Sequence, residues 1–236
     1  MTAFTLKLIA LLSMLIDHIG VAFELPIGFR IVGRLAFPIF VFLIAEGFHH
    51  TRSPEKFLLR LFIFAIISEP FYDWAISRPG TPPWHVDFLA YTNIFYTLFL
   101  GGMAIFAYKK LHPEFGTMLA AIPALIAAVL ALMLTSDYGA YGVFFIVAMY
   151  LVNKKWRLPV LAVFCLLQFA SWYRVLLHYF FTYNQVLWGH WLMIFATLIT
   201  VPLIAHYNGQ RGRSLKWLFY AAYPAHLAIL GIFVQM

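Results

Sequence analysis

The sequence predicts an all-α fold: a polytopic integral membrane bundle of about nine transmembrane helices, forming one domain over residues 1–236. Three observations carry this. Hydrophobic residues make up 64% of the chain and charged residues only 11%, where soluble domains devote about a quarter of their residues to charge. Apolar runs of about twenty residues, enough to cross hydrocarbon, recur from end to end and exclude a single anchor on a soluble domain. The runs do not alternate polar with apolar, so helices rather than barrel strands fill them.

The first run, 4–23, is too long and too charged within to be the apolar region of a signal peptide, and no small-residue cleavage site follows it. It is expected to remain as a span. Breaks at Pro, Gly and charged residues then delimit 28–48, 56–76, 89–108 and 117–134. A sixth segment, 139–152, covers only about 21 Å as a helix and needs a thin or buried location. The last three are 158–176, 187–206 and 215–234. No internal repeat and no low-complexity stretch is present.

Basic residues orient the bundle. Loops after spans two, four, six and eight carry Arg52 and Lys56, Lys109 and Lys110, Lys154, Lys155 and Arg157, then Arg211, Arg213 and Lys216. Short loops rich in Lys and Arg stay in the cytoplasm. The opposite loops offer Arg78 and Arg174, so the amino terminus is expected inside and the carboxyl terminus outside. The formal net charge of +7 thus reflects topology, and split among short loops it does not make a nucleic-acid surface. Cys165 is the single cysteine; no disulfide, zinc site or iron–sulfur cluster can be built from cysteine, and a packed core position is its expected role.

Ionisable residues inside apolar segments mark candidate functional positions, because hydrocarbon makes them costly. Lys7 and His18 both lie in the first segment. Eleven helical steps turn through about 1100° and climb about 16 Å, which puts both on one face, half a bilayer apart. With the amino terminus inside, Asp17 and His18 fall roughly 8 Å below the outer end of span one, and Arg30 and Arg34 roughly 3 and 9 Å into span two. Glu69 and Asp73 in span three, and Tyr223 and His226 in span nine, also fall in the outer half. Arg30 with Arg34, Glu69 with Asp73, and Tyr223 with His226 are three or four residues apart and share a face pairwise. Asp17 and His18 diverge by about 100°, so Asp17 is not expected to orient the imidazole.

Structural roles stand beside the functional ones. The two arginines either pair with Glu69 and Asp73 or extend to the headgroups; Lys7 suits an interfacial anchor, and His18 a core histidine bonded to a neighbouring helix. Glu46, His49 and His50 suit the cytoplasmic interface. Asp137, Tyr138 and Gly139 read as a turn or helix start.

Leu6 to Gly20 (LKLIALLSMLIDHIG), Arg30 to Gly47 (RIVGRLAFPIFVFLIAEG), Arg60 to Pro70 (RLFIFAIISEP), Ser136 to Gly142 (SDYGAYG) and Lys216 to Leu227 (KWLFYAAYPAHL) together resemble the TraX family. Its best-known member acetylates the amino terminus of conjugative pilin. TraX proteins are in turn similar to the acyltransferase-three membrane enzymes and to the lysosomal heparan glucosaminide acetyltransferase. In the acyltransferase-three group a basic residue, ten others and a histidine recur in the first span, and Lys7 to His18 fits that spacing. Paired arginines two residues apart also mark that group; Arg30 and Arg34 are four apart, a departure that weakens their carry-over to donor handling.

The resemblance implies an enzyme of the bacterial cytoplasmic membrane that moves an acetyl group from cytoplasmic acetyl-CoA to an amine or hydroxyl of an exported acceptor, a pilin-like peptide or an envelope glycan. Membrane lipid surrounds it and no metal is expected. Acyl transfer needs a base or nucleophile and a group to stabilise the oxyanion. His18 fills the first role as base or acyl carrier, with Arg34 and Glu69 completing the catalytic set and Lys7 and Arg30 on the donor. Glu69 and Asp73 are expected to orient the arginines, and Asp17, Asp73, Tyr223 and His226 to contact the acceptor. Two other classes share these features: a transporter or channel with a buried charged cavity, and a haem protein ligated by His18 and His226.

Overall fold

The computed structural model describes residues 1–79, 82, 84–89, 91–168 and 188–235. Among the described residues the regular structure is helical, and it divides into two compact units, Met1–Phe40 with Val152–Ser214 and Val41–Leu151 with Leu215–Met236.

In the first unit, α1 (Ala3–Ala22) starts at Thr2, whose hydroxyl accepts from the Thr5 N–H at 3.3 Å. Its buried residues Leu6, Ala10, Ser13, Asp17 and Gly20 are spaced alternately four and three apart, the seam of a helix lying along a partner. That partner is α2 (Gly28–Gly33). The expected second span is broken at Arg34 and Leu35 before resuming as α3 (Ala36–His50). Pro38 explains the break: it has no N–H for the Arg34 carbonyl, and its ring crowds that carbonyl. The unit boundary falls within α3.

Later in this unit come α8 (Arg157–Leu167), α9 (Trp188–Leu198) and α10 (Thr200–Ala205). The Thr197 hydroxyl donates to the Cys165 carbonyl at 3.1 Å, and Cys165 is fully buried against Thr200, the packed position expected for it. The outer part of the seventh expected span, with Arg174, and the first residue of the eighth lie outside the described residues.

The second unit holds α4 (Pro54–Tyr72), α5 (Ile94–Ala120), α6 (Ile122–Met133), α7 (Gly139–Leu151) and α11 (Lys216–Val234). Pro70 deprives Ile66 of its bond in the last turn of α4, and the chain widens into a π turn, Asp73–Ser77, closed by the Arg78 N–H on the Asp73 carbonyl at 2.7 Å. Span four was expected from residue 89; the helix starts instead at Ile94, capped by the Asn93 side chain, which accepts from the Phe95 N–H at 3.0 Å. It also runs on past Lys109 and Lys110, good helix formers, to a break at Gly116, where φ is 70°. The short sixth segment is α7, within one residue of its expected limits.

Ala3–Ala22, Gly28–His50, Ile94–Ala120 and Lys216–Val234 are long and apolar enough to cross a membrane, and Ile122–Met133, Gly139–Leu151 and Trp191–Ala205 are shorter apolar helices. Helix α4 has the length but carries Glu55, Lys56, Arg60 and Glu69.

Candidate functional site

The eight residues expected in the outer half fall into two groups, one in each unit. In the first, both oxygens of the Asp17 carboxylate are taken by guanidinium groups: Arg30 Nη1 donates to Oδ2 and Arg34 Nη2 to Oδ1, each at 2.8 Å. Asp17 and Arg34 are buried, while the Arg30 side chain keeps 35% of its exposure. Arg34 Nε also donates to the Arg30 carbonyl at 3.1 Å, beside that carbonyl's bond from the Arg34 backbone N–H, and this fixes the guanidinium fork at the end of α2. Gly33 makes the approach possible, since a Cβ there would lie 2.0 Å from Asp17 Oδ1.

Asp17 holds both arginines, because it lies on the face of α1 that packs against α2; Glu69 and Asp73, the residues expected to orient them, belong to the other unit. One carboxylate between two guanidiniums leaves the trio with a net single positive charge. Asp17 is likewise engaged with protein on both oxygens, although it was expected to face substrate.

His18 follows Asp17 on α1 and is half-buried. Lys7, also half-buried, is on the same helix, within Coulombic range of Arg211. The loop carrying Arg211 is fastened to the first turn of α1 by the Ala3 N–H on the Gln210 carbonyl at 2.8 Å and the Phe4 N–H on the Arg211 carbonyl at 3.1 Å. Two of the otherwise unpaired N–H groups of the helix start are satisfied this way.

The second cluster forms where α4 ends and α5 begins. Glu69 is fully buried, and its Oε2 accepts from the Asn93 backbone N–H at 3.1 Å and from the Asn93 side-chain amide. The same amide donates to the Ala65 carbonyl at 2.8 Å. One turn on, Asp73 Oδ2 accepts from the Asp87 N–H at 2.9 Å. Asp87 pairs with Arg78 at 2.8 Å and so holds the guanidinium's pKa above its usual value.

Tyr223 is buried, with its hydroxyl against the Ile94 N–H, its ring edge-on to Phe95 at 5.1 Å and in contact with His226 at 5.3 Å. His226 Nδ1 donates to the Ala222 carbonyl one turn back at 2.9 Å. Asp137 is the turn expected there: Tyr138 and Gly139 have φ of 64° and 44°, and the Asp137 N–H donates to the Thr92 carbonyl at 3.0 Å, tying the start of α7 to the start of α5.

Asn93 organises this cluster, and sequence reasoning missed it because the span was drawn from residue 89. An Asn directly before Ile-Phe-Tyr is an N-cap signal that marks it. At the other end of α3, Glu46 pairs with His50 at 3.0 Å and His49 stacks on Tyr150 at 4.4 Å, ordinary interface contacts.

An all-helical fold with apolar helices of membrane-crossing length and buried ionic clusters is that of a helical membrane protein. The family model described as TraX protein matches residues 3–234, and the chain belongs to the TraX family. It is 31% identical over 246 residues to a probable fimbrial assembly protein, FimC of serogroup H1, from Dichelobacter nodosus, across 97% of this chain and 94% of the relative. No solved structure matches the chain significantly.

Proposed function

We propose that the chain is a membrane-embedded acyltransferase that moves an acetyl group from cytoplasmic acetyl-CoA to an exported acceptor. The observation that carries this is the Asp17–Arg30–Arg34 trio, held at 2.8 Å contacts beside His18 on the helix that also bears Lys7. Preorganised donors aimed at developing negative charge are the usual main source of acyl-transfer catalysis. Guanidinium groups fixed by a carboxylate are such donors, and the net positive charge of the trio favours an oxyanion.

Lys7 and Arg211 supply cations for the donor's phosphates at one end of α1, and Arg34 with Arg30 supply the oxyanion contacts near the other. His18 acts as general base or transient acyl carrier. As base, it takes the proton from the acceptor nitrogen or oxygen as that atom bonds to the thioester carbon. The carbon–sulfur bond then breaks, and the departing thiolate recovers the proton from the imidazolium. Asp17 positions the arginines.

The relative's name, a fimbrial assembly protein, favours a pilin-like subunit over an envelope glycan as acceptor. Cytoplasmic acetyl-CoA and an exported acceptor agree with an amino terminus inside and a carboxyl terminus outside. Mass spectrometry of envelope proteins and glycans from cells with and without the gene tests the proposal. One added acetyl group on a fimbrial subunit, present only with the gene, is expected; identical masses in both samples contradict it.

A further inference from the structure

Arg60 stands in α4 about 9 Å from the helix start at Pro54. Its guanidinium lies over two aromatic faces, 5.9 Å from the Phe57 centroid and 5.9 Å from that of Tyr220, and against the Tyr220 hydroxyl. Its Nε is buried without a hydrogen-bond partner. Among the described residues no carboxylate pairs with Arg60. Rings and a phenol hold the side chain, and they do not neutralise it. A guanidinium so placed in an apolar bundle is costly unless an anion reaches it.

Helices α4 and α11 run in the same direction, because Phe64 stacks on Tyr220 at 5.2 Å and, farther along both, Trp74 meets Gly231. One turn back from Arg60 and Tyr220, Lys56 and Lys216 therefore come to one level at the helix starts. Both are exposed, and the Lys216 ammonium lies 5.4 Å from the exposed Trp217 ring, a cation and an indole suited to a membrane surface. Glu55 is exposed too, turned about 100° from Lys56 around α4. Lys56, Arg60, Ile63 and Ile67 are spaced four, three and four apart and form one stripe of α4. Its two isoleucines are 41% and 44% exposed. The stripe thus has cations at one end and bare hydrocarbon above them, which matches a phosphate head followed by acyl chains. A free phosphate would use the cations and leave the isoleucines unmatched.

We infer that Arg60, with Lys56 and Lys216, binds the phosphate of an anionic phospholipid at the seam of α4 and α11, with the acyl chains along Ile63 and Ile67. The terminal guanidinium nitrogens donate to the phosphate oxygens, and the two lysines add positive charge at the rim. Three cations with no paired acid favour a net-anionic head over a zwitterionic one. The lipid supplies the anion that lets α4 carry Arg60 in a bilayer. The site is independent of the acyl-transfer proposal.

The test is native mass spectrometry of the full-length protein in detergent, titrated with phosphatidylglycerol and with phosphatidylcholine of the same chains. Phosphatidylglycerol is expected to bind about fivefold or more tightly than phosphatidylcholine, and Arg60→Gln and Lys56→Gln each to lose about fivefold, one cation's share. Lys109→Gln combined with Lys110→Gln removes as much charge elsewhere and is expected to keep the preference. Thermal unfolding of every variant is recorded alongside. If Arg60→Gln is unfolded, Lys56→Gln carries the test, since Lys56 is exposed. Inorganic phosphate, added as a competitor, is expected to leave the lipid in place. Equal affinity for the two lipids, wild-type preference in the folded variants, an equal loss on changing Lys109 and Lys110, or displacement of the lipid by millimolar inorganic phosphate overturns the site.

Discussion

Asp17 is the residue on which the first cluster turns. Its carboxylate neutralises one of two guanidiniums and fixes both, so Asp17→Ala leaves two cations together with nothing between them. Removing one partner of a buried ion pair costs about 3 kcal/mol or more, and thermal unfolding in detergent should show Asp17→Ala melting well below wild type. Gly33→Ala acts on the same contact from the other side. Its Cβ would fall 2.0 Å from Asp17 Oδ1, so the carboxylate must leave its place, and acetyl transfer is expected to fall at least tenfold even where the variant remains folded. Lys7, His18, Asp17 and both arginines were legible in the sequence as costly residues in apolar runs. Their pairing was not. Spacing tells which residues share a helix face, and Glu69 and Asp73 were the anions expected for the arginines; the packing of α1 on α2 brings Asp17 to them.

Among the elements, the two interrupted helices position the chemistry. Pro38 and Pro70 each remove one backbone hydrogen bond; the first breaks the helix at Arg34 and Leu35, and the second precedes the π turn that begins at Asp73. Both prolines sit within apolar runs, so hydropathy alone draws an unbroken span across them. The start of α5 was misplaced for a related reason: Leu89 is apolar, and the run was extended to include it, although the capping chemistry begins at Asn93. Asn93→Ala removes the cap, worth about 1 kcal/mol, and the side-chain amide's bonds to buried Glu69 and to the Ala65 carbonyl, while the backbone N–H on Glu69 stays. The combined loss should exceed 2 kcal/mol, measured by denaturation against the wild type. Gly231 on α11 faces the π turn so closely that a Cβ would lie 2.4 Å from the Trp74 ring. Gly231→Val should therefore displace that turn and lower the melting temperature, which thermal unfolding in detergent against the wild type measures.

For the molecule as a whole, the helical class follows from composition and the lengths of the apolar runs, and family membership extends over residues 3–234. The basic loops give an expected orientation. Reporter fusions to the two ends should place the amino terminus in the cytoplasm and the carboxyl terminus outside it; the same side for both would remove the odd number of crossings. The decisive element of the proposed chemistry is the His18 imidazole. The most direct measurement is release of free coenzyme A and acetylation of a fimbrial-subunit peptide from labelled acetyl-CoA, comparing purified wild type with folded His18→Ala. Loss of turnover by about a hundredfold or more, with the donor still bound, is the predicted result; turnover near wild type in His18→Ala would contradict it.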